Sequence, residues 1–196
     1  MEIDFKVLIG ALSAIVALLN YLPYLVGVVK ETLHPHAFSW IIFTIITATI
    51  SIAQFSEGAG AGAWATGATS LITFVIALYA LKNGGYRITR SDQVSFAGAL
   101  IAIPAWIITA NPLVAIIFLT GIEILGFLPT YRKAWRKPHD ESVLAFSLTI
   151  VKYGLALVAM STYTLTTMLF PVALLILSSI LIAEIVWRKR TVVPPF

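Results

Sequence analysis

The 196-residue chain contains no cysteine, so disulfides, thiol nucleophiles and cysteine-based metal sites are excluded. Charge is also scarce. Only 11% of residues are charged, against 59% hydrophobic, and the mean hydropathy is +0.94. A water-soluble domain of this size could not hide that much apolar surface, so the chain reads as an integral membrane protein. Histidine occurs three times. His34 and His36 share one loop without acidic or cysteine company, so they read as solvated side chains and no metal is expected. No nucleophile–base pair, metal cluster or phosphate-cradling loop is present, which argues against an enzyme and leaves no cofactor to expect. A cleavable signal peptide is not evident either. The start, MEIDFK, is net acidic in its side chains and the apolar run continues past a signal-peptide core, so the first span is expected to remain in the mature protein.

What is abundant is long apolar runs. A transmembrane helix needs about 20 mostly apolar residues. Seven stretches meet that rule, at 5–29, 37–55, 61–81, 94–110, 112–134, 143–161 and 165–187. The fourth is the shortest and contains Pro104. Continuous runs rather than short alternating ones predict helices and not a barrel.

The charges then orient the spans. Lys30, Lys82, Arg87, Arg90, Arg132, Lys133, Arg136, Lys137, Arg188, Lys189 and Arg190 fall on one side, 11 of the 13 basic residues. The opposite side has Lys6 and joints without basic residues: 56–60 (with Glu57), Asn111 and 162–164. Basic loops stay in the cytoplasm, so the N-terminus is expected outside and the C-terminus inside. The net charge of +4 therefore reports topology and lipid headgroups rather than nucleic acid. Trp40, Trp135 and Trp187 near inner ends and Trp64 and Trp106 near outer ends read as aromatic belts. Glu184, one turn before Arg188, reads as half of a snorkelling ion pair. The small residues of 58–67 suit close helix packing.

Two stretches repeat one plan. Leu22-Pro23 leads through a charged loop to Ala37-Phe38-Ser39, and Leu128-Pro129 leads likewise to Ala145-Phe146-Ser147. The interval from proline to alanine is 14 residues in the first copy and 16 in the second. A three-helix unit that starts outside ends inside, so a second copy in the same orientation requires one extra crossing. The expected layout is a first three-helix bundle (1–86), a linker helix (87–111) and a second three-helix bundle (112–196). Parallel repeats about an axis along the membrane normal are a transporter architecture.

On these residues the chain resembles the PQ-loop superfamily, which includes SWEET sugar carriers, lysosomal cystine and cationic amino-acid exporters, and the KDEL receptor. The resemblance covers nearly the whole chain. It implies that Pro23 and Pro129 are hinges in the first helix of each bundle. Departures are specific: the family's glutamine after proline is replaced by Tyr24 and Thr130. The second and sixth spans lack the prolines of SWEETs, and the third and seventh lack the asparagines that hold sugar there. The architecture is carried over; the sugar-binding residues are not.

The sharpest chemical signal is a pair of intramembrane charges. Glu123 lies 11 residues past Pro112, about 16 Å along its helix, and Lys152 nine past Val143, about 14 Å along its own. Both fall near the middle of a hydrocarbon core about 30 Å thick. An isolated charge there costs at least about 2.5–3.5 kcal/mol, so each should face protein or a wet cavity and find a partner. Three readings stay open. Lys152 binds an anionic group of a substrate while Glu123 holds it in readiness; Glu123 titrates and couples protons to movement; or the two form a fixed clamp between helices. Pro23 and Pro129 kink their helices as hinges or simply punctuate helix ends. Asn20, three residues before Pro23, either touches substrate or satisfies a carbonyl freed by the proline. Tyr153 and Thr44, the first-copy counterpart of Lys152, are further cavity candidates. The expectation is an all-α transporter of a small polar solute (sugar, amino acid or organic acid) in a prokaryotic cytoplasmic membrane, working by alternating access and with proton coupling open. Its partners are that solute and lipid, with no nucleic acid, and self-association is left open. The alternative is a non-transporting receptor on the same fold.

Overall fold

A computed structural model describes residues 4–33, 35–83 and 90–191. His34, Arg87 and the boundary at 86/87 lie outside the described residues. Among those described there are seven α-helices: α1 (Phe5–Val29), α2 (Ala37–Ser56), α3 (Trp64–Asn83), α4 (Arg90–Thr109), α5 (Pro112–Arg136), α6 (Val143–Ala159) and α7 (Leu165–Thr191). Five are long and apolar enough to cross a membrane: α1, α2, α3 with its preceding turn, α5 and α7. Helix α6 has 17 residues, and α4 contributes a shorter apolar stretch, Phe96–Thr109. Large apolar side chains face outward along these helices, up to 73% and 81% exposed at Ile107 and Ile108. That makeup is a membrane protein's.

Local chemistry sets the helix ends. Asp4 caps α1 by accepting from the Lys6 N–H, Asn111 caps α5 by accepting from the Leu113 N–H, and Ser142 caps α6 through the Ala145 N–H. Pro112 occupies the first turn of α5, where its missing N–H is not needed. Helix α2 ends where Gly58 turns left-handed at φ 76°. The stretch expected to be one span at 61–81 divides into a 3₁₀ turn, Gly60–Ala63, and then α3. Helix α6 stops two residues before its expected end because Met160 turns extended and the Ser161 N–H bonds to the Ala59 carbonyl at 3.0 Å.

The two halves pack in the same order. Helix α3 lies between α1 and α2, and α7 lies between α5 and α6. The halves meet chiefly where α1 packs on α6, while α2 meets α5 and α7 more lightly and α4 packs over α5 and α2. At the end away from the basic loops the halves are sealed by small residues. Between the halves, a Cβ on Gly62 would collide with the Met160 side chain and come within 2.8 Å of the Ala156 carbonyl; within the first half, one on Gly10 would stand 2.5 Å from the Ala61 Cβ. Only hydrogen fits there, as the small-residue run at 58–67 suggested. Lys6 Nζ donates to the Met160 carbonyl at 2.7 Å and Gln54 Nε2 to the Thr167 carbonyl at 2.9 Å, so polar groups reinforce the seal.

Candidate functional site

Each half contributes helices with a polar residue where the inward stripe would otherwise be apolar. On α5 that stripe runs Ile116, Leu119 and Thr120, all buried, and the next residue on it is Glu123. On α6, Lys152, Tyr153 and Ala156 are buried against the neighbouring helices. On α1, Ser13 and Ala17 are buried and Asn20 follows on the same face. These stripes converge on a cavity of about 290 Å³ that touches Glu123, Lys152, Tyr153 and Asn20. It runs from Thr69 and Phe170, in the second turn of α3 and of α7, towards Tyr24, Trp40 and Ala145, which sit near the basic-loop end of their helices.

Glu123 and Lys152 thus share one chamber but do not pair. The only ion pair within salt-bridge distance among the described residues is Lys133–Glu141, at 2.8 Å and outside the chamber. The clamp between helices is therefore not formed. Lys152, only 2% exposed, instead donates from Nζ to Thr69 Oγ1 at 3.2 Å. Its ammonium also lies 4.6 Å from the Tyr153 ring centroid and 5.3 Å from that of Tyr21. Ring quadrupoles attract a cation at these distances. Glu123 makes no hydrogen bond to another described residue. It also borders a second cavity, of about 410 Å³, between α2, α4 and α5, so it and Phe43 stand at the junction of the two. The groups facing Glu123 are thus Lys152, Tyr21 and Tyr153 in the chamber and Arg90 on the α4 side.

Asn20 bridges the halves: Nδ2 donates to Thr149 Oγ1 at 3.0 Å, while its Oδ1 is buried without a partner. Thr44 does not line the chamber. Its hydroxyl bonds to the Trp40 carbonyl at 2.8 Å and to Thr73 Oγ1 at 3.3 Å, and it is Thr73 that reaches the chamber wall. Its inward neighbour on α3 takes the place that the repeat offset assigned to Thr44. Pro23 and Pro129 lie within unbroken helices, so each removes one intrahelical bond without ending its helix.

Trp40 lines the chamber: its indole N–H donates to Tyr24 Oη at 3.2 Å and its ring packs 4.8 Å from that of Tyr24. One reading of a single residue is corrected. Glu184 does not pair with Arg188. Arg188 Nε donates to the Trp135 carbonyl at 3.0 Å and its guanidinium stacks on that indole, leaving Glu184 Oε1 buried without a partner. Sequence reasoning also missed the hydroxyl stripe of α3. Thr66, Thr69 and Thr73, all buried, recur at helical spacing along an apolar helix, and that spacing was the available signal. His36 Nδ1 lies 3.2 Å from Ser39 Oγ, and no metal-binding cluster occurs among the described residues. No family model, curated protein or solved structure matches this chain.

Proposed function

We propose that the protein is a transporter of a small polar solute that works by alternating access on a PQ-loop-like plan. In this reading all seven helices cross a prokaryotic cytoplasmic membrane, with the N-terminus outside and the basic loops and C-terminus in the cytoplasm. Helices α1–α3 and α5–α7 are the parallel repeats, and α4 is the linker that restores orientation. Helix α6, at 17 residues, is at the lower end of what crosses a bilayer, and α4 reaches the needed length only with the polar turn before its apolar stretch, 20 residues in all.

The observation that carries the reading is a chamber between two halves of the same packing order, sealed at one end and carrying an unpaired acid and base. Charges buried at membrane depth are retained where they face a substrate or ion path. A purely structural pair would have closed on itself. The light contact of α2 with α5 and α7, against the close packing of α1 on α6, gives the halves a side on which to separate. Rocking about Pro23 and Pro129 would then exchange which end is sealed.

The test is a counterflow screen of sugars, amino acids and organic acids in proteoliposomes, with Glu123→Gln and Lys152→Met alongside. Wild-type protein is expected to exchange one solute class. Each substitution is expected to lower exchange at least about tenfold, the worth of one charge-assisted contact. Because the two charges do not touch, neither substitution should cost the about 3–5 kcal/mol of a broken buried ion pair in thermal unfolding. Saturable binding without exchange would identify a receptor instead.

A further inference from the structure

The chamber's charge arrangement selects among solute classes. We infer that it binds a small zwitterion with a planar apolar body, of the type of an aromatic α-amino acid, the carboxylate going to Lys152 and the ammonium to Glu123. The inference rests on the carrier reading only in taking this chamber as the binding site.

Lys152 and Glu123 open onto one cavity without touching each other. An anion would answer Lys152 and bring a second negative charge beside Glu123. A cation would answer Glu123 and bring a second positive charge beside Lys152, and a neutral sugar would answer neither. Unpaired charge in a poorly hydrated site is unfavourable, so a ligand carrying both charges fits best. Lys152 is oriented for this role: Thr69 Oγ1 takes one of its protons, and the rings of Tyr21 and Tyr153 hold its head in place while leaving further N–H donors. On the accepting side the chamber offers the Glu123 carboxylate, and Asn20, whose buried Oδ1 has no protein partner, belongs to the same wall.

The rest of the wall is aromatic. Tyr24, Trp40, Phe43, Phe146 and Phe170 line the chamber. The Trp40 indole N–H is already bonded to Tyr24 Oη, and Tyr153 meets Phe170 edge-on at 89°, so the rings are held in fixed orientations. Preorganised rings favour a flat apolar group through offset and edge contacts. The volume, about 290 Å³, sits at the small end of ligand pockets and matches one such side chain rather than an oligomer.

The test is calorimetric titration of the purified full-length protein with L-phenylalanine, phenethylamine (no carboxylate), 3-phenylpropionate (no amine) and glucose. Phenylalanine should bind at least about tenfold more tightly than either half-ligand, the worth of one charge-assisted hydrogen bond. Glu123→Gln should abolish its advantage over 3-phenylpropionate and keep its advantage over phenethylamine. Lys152→Met should do the opposite; if that variant does not fold, Glu123→Gln decides alone. Equal affinities for the three aromatic ligands, no phenylalanine binding by folded wild type, or tighter binding of glucose would overturn the inference. The two readings fail separately. Phenylalanine binding without counterflow would keep the zwitterion site and remove the carrier. Counterflow of another solute that phenylalanine does not inhibit would keep the carrier and remove the zwitterion.

Discussion

Single glycines decide how closely the halves approach. Gly62 has no room for a Cβ beside Met160 and the Ala156 carbonyl, whereas a Cβ on Gly154 would meet nothing within 4 Å. Gly62→Ala should therefore destabilise by about 1–3 kcal/mol through overpacking. Gly154→Ala should be neutral or raise stability by up to about 1 kcal/mol, because alanine is the better helix former. Thermal unfolding in detergent checks both, and the reverse ranking would show that the seal is not packed as described. This residue-scale detail was half legible. The run of small residues at 58–67 announced close packing, but not that its partner would be the end of α6. Position along the helix was likewise legible and direction was not. Counting 1.5 Å per residue set Glu123 and Lys152 well inside α5 and α6, which is where they lie. Whether they touch depends on how far each helix is rotated about its axis and on what lies between them, and neither is set by local sequence. The Tyr21 and Tyr153 rings and Thr69 hold the lysine that a simple count had given to the glutamate.

At the scale of elements, sequence carried most of the information. Helix α1 begins and ends where its apolar run does, and α5 begins at the proline that follows its capping Asn111. Such ends are local chemistry. The division of the third span was hidden because glycine–alanine turns and helices share a composition, and the choice was made by packing against α6. The partner of Trp40 was hidden for a related reason. Tryptophan near a helix end usually marks the headgroup region, and that position gives no sign that α2 turns its indole to Tyr24. The prolines remain the element-scale question. Pro23→Ala and Pro129→Ala each restore one helix bond, stiffening the helix. If they are hinges, each variant should bind solute with unchanged affinity while its exchange rate falls several-fold. Unchanged exchange in both variants would reduce the prolines to punctuation.

For the whole molecule, the matched packing order of α1–α3 and α5–α7 is the physical content of the sequence repeat. The repeat predicted equivalent halves, and the contacts between them are unequal. The α1–α6 side is close-packed, the α2–α5 side is covered by α4, and the polar chamber extends towards the basic-loop end. Repeats that differ at their contacts can differ in which interface opens, which alternating access requires.

The seal can be locked to ask whether it must open. An ideal Cβ at Gly58 lies 3.8 Å from the Thr162 Cβ, across the sealed end, within the about 3.5–4.5 Å that a disulfide spans. The chain has no native cysteine, so Gly58→Cys/Thr162→Cys would be its only thiol pair. The left-handed backbone at residue 58 costs the variant about 1–2 kcal/mol, which both its redox states share. Counterflow is measured before and after reduction of the same vesicles. Alternating access predicts that the oxidised protein binds solute but does not exchange it, and that exchange returns on reduction. Full exchange by the oxidised protein would contradict it.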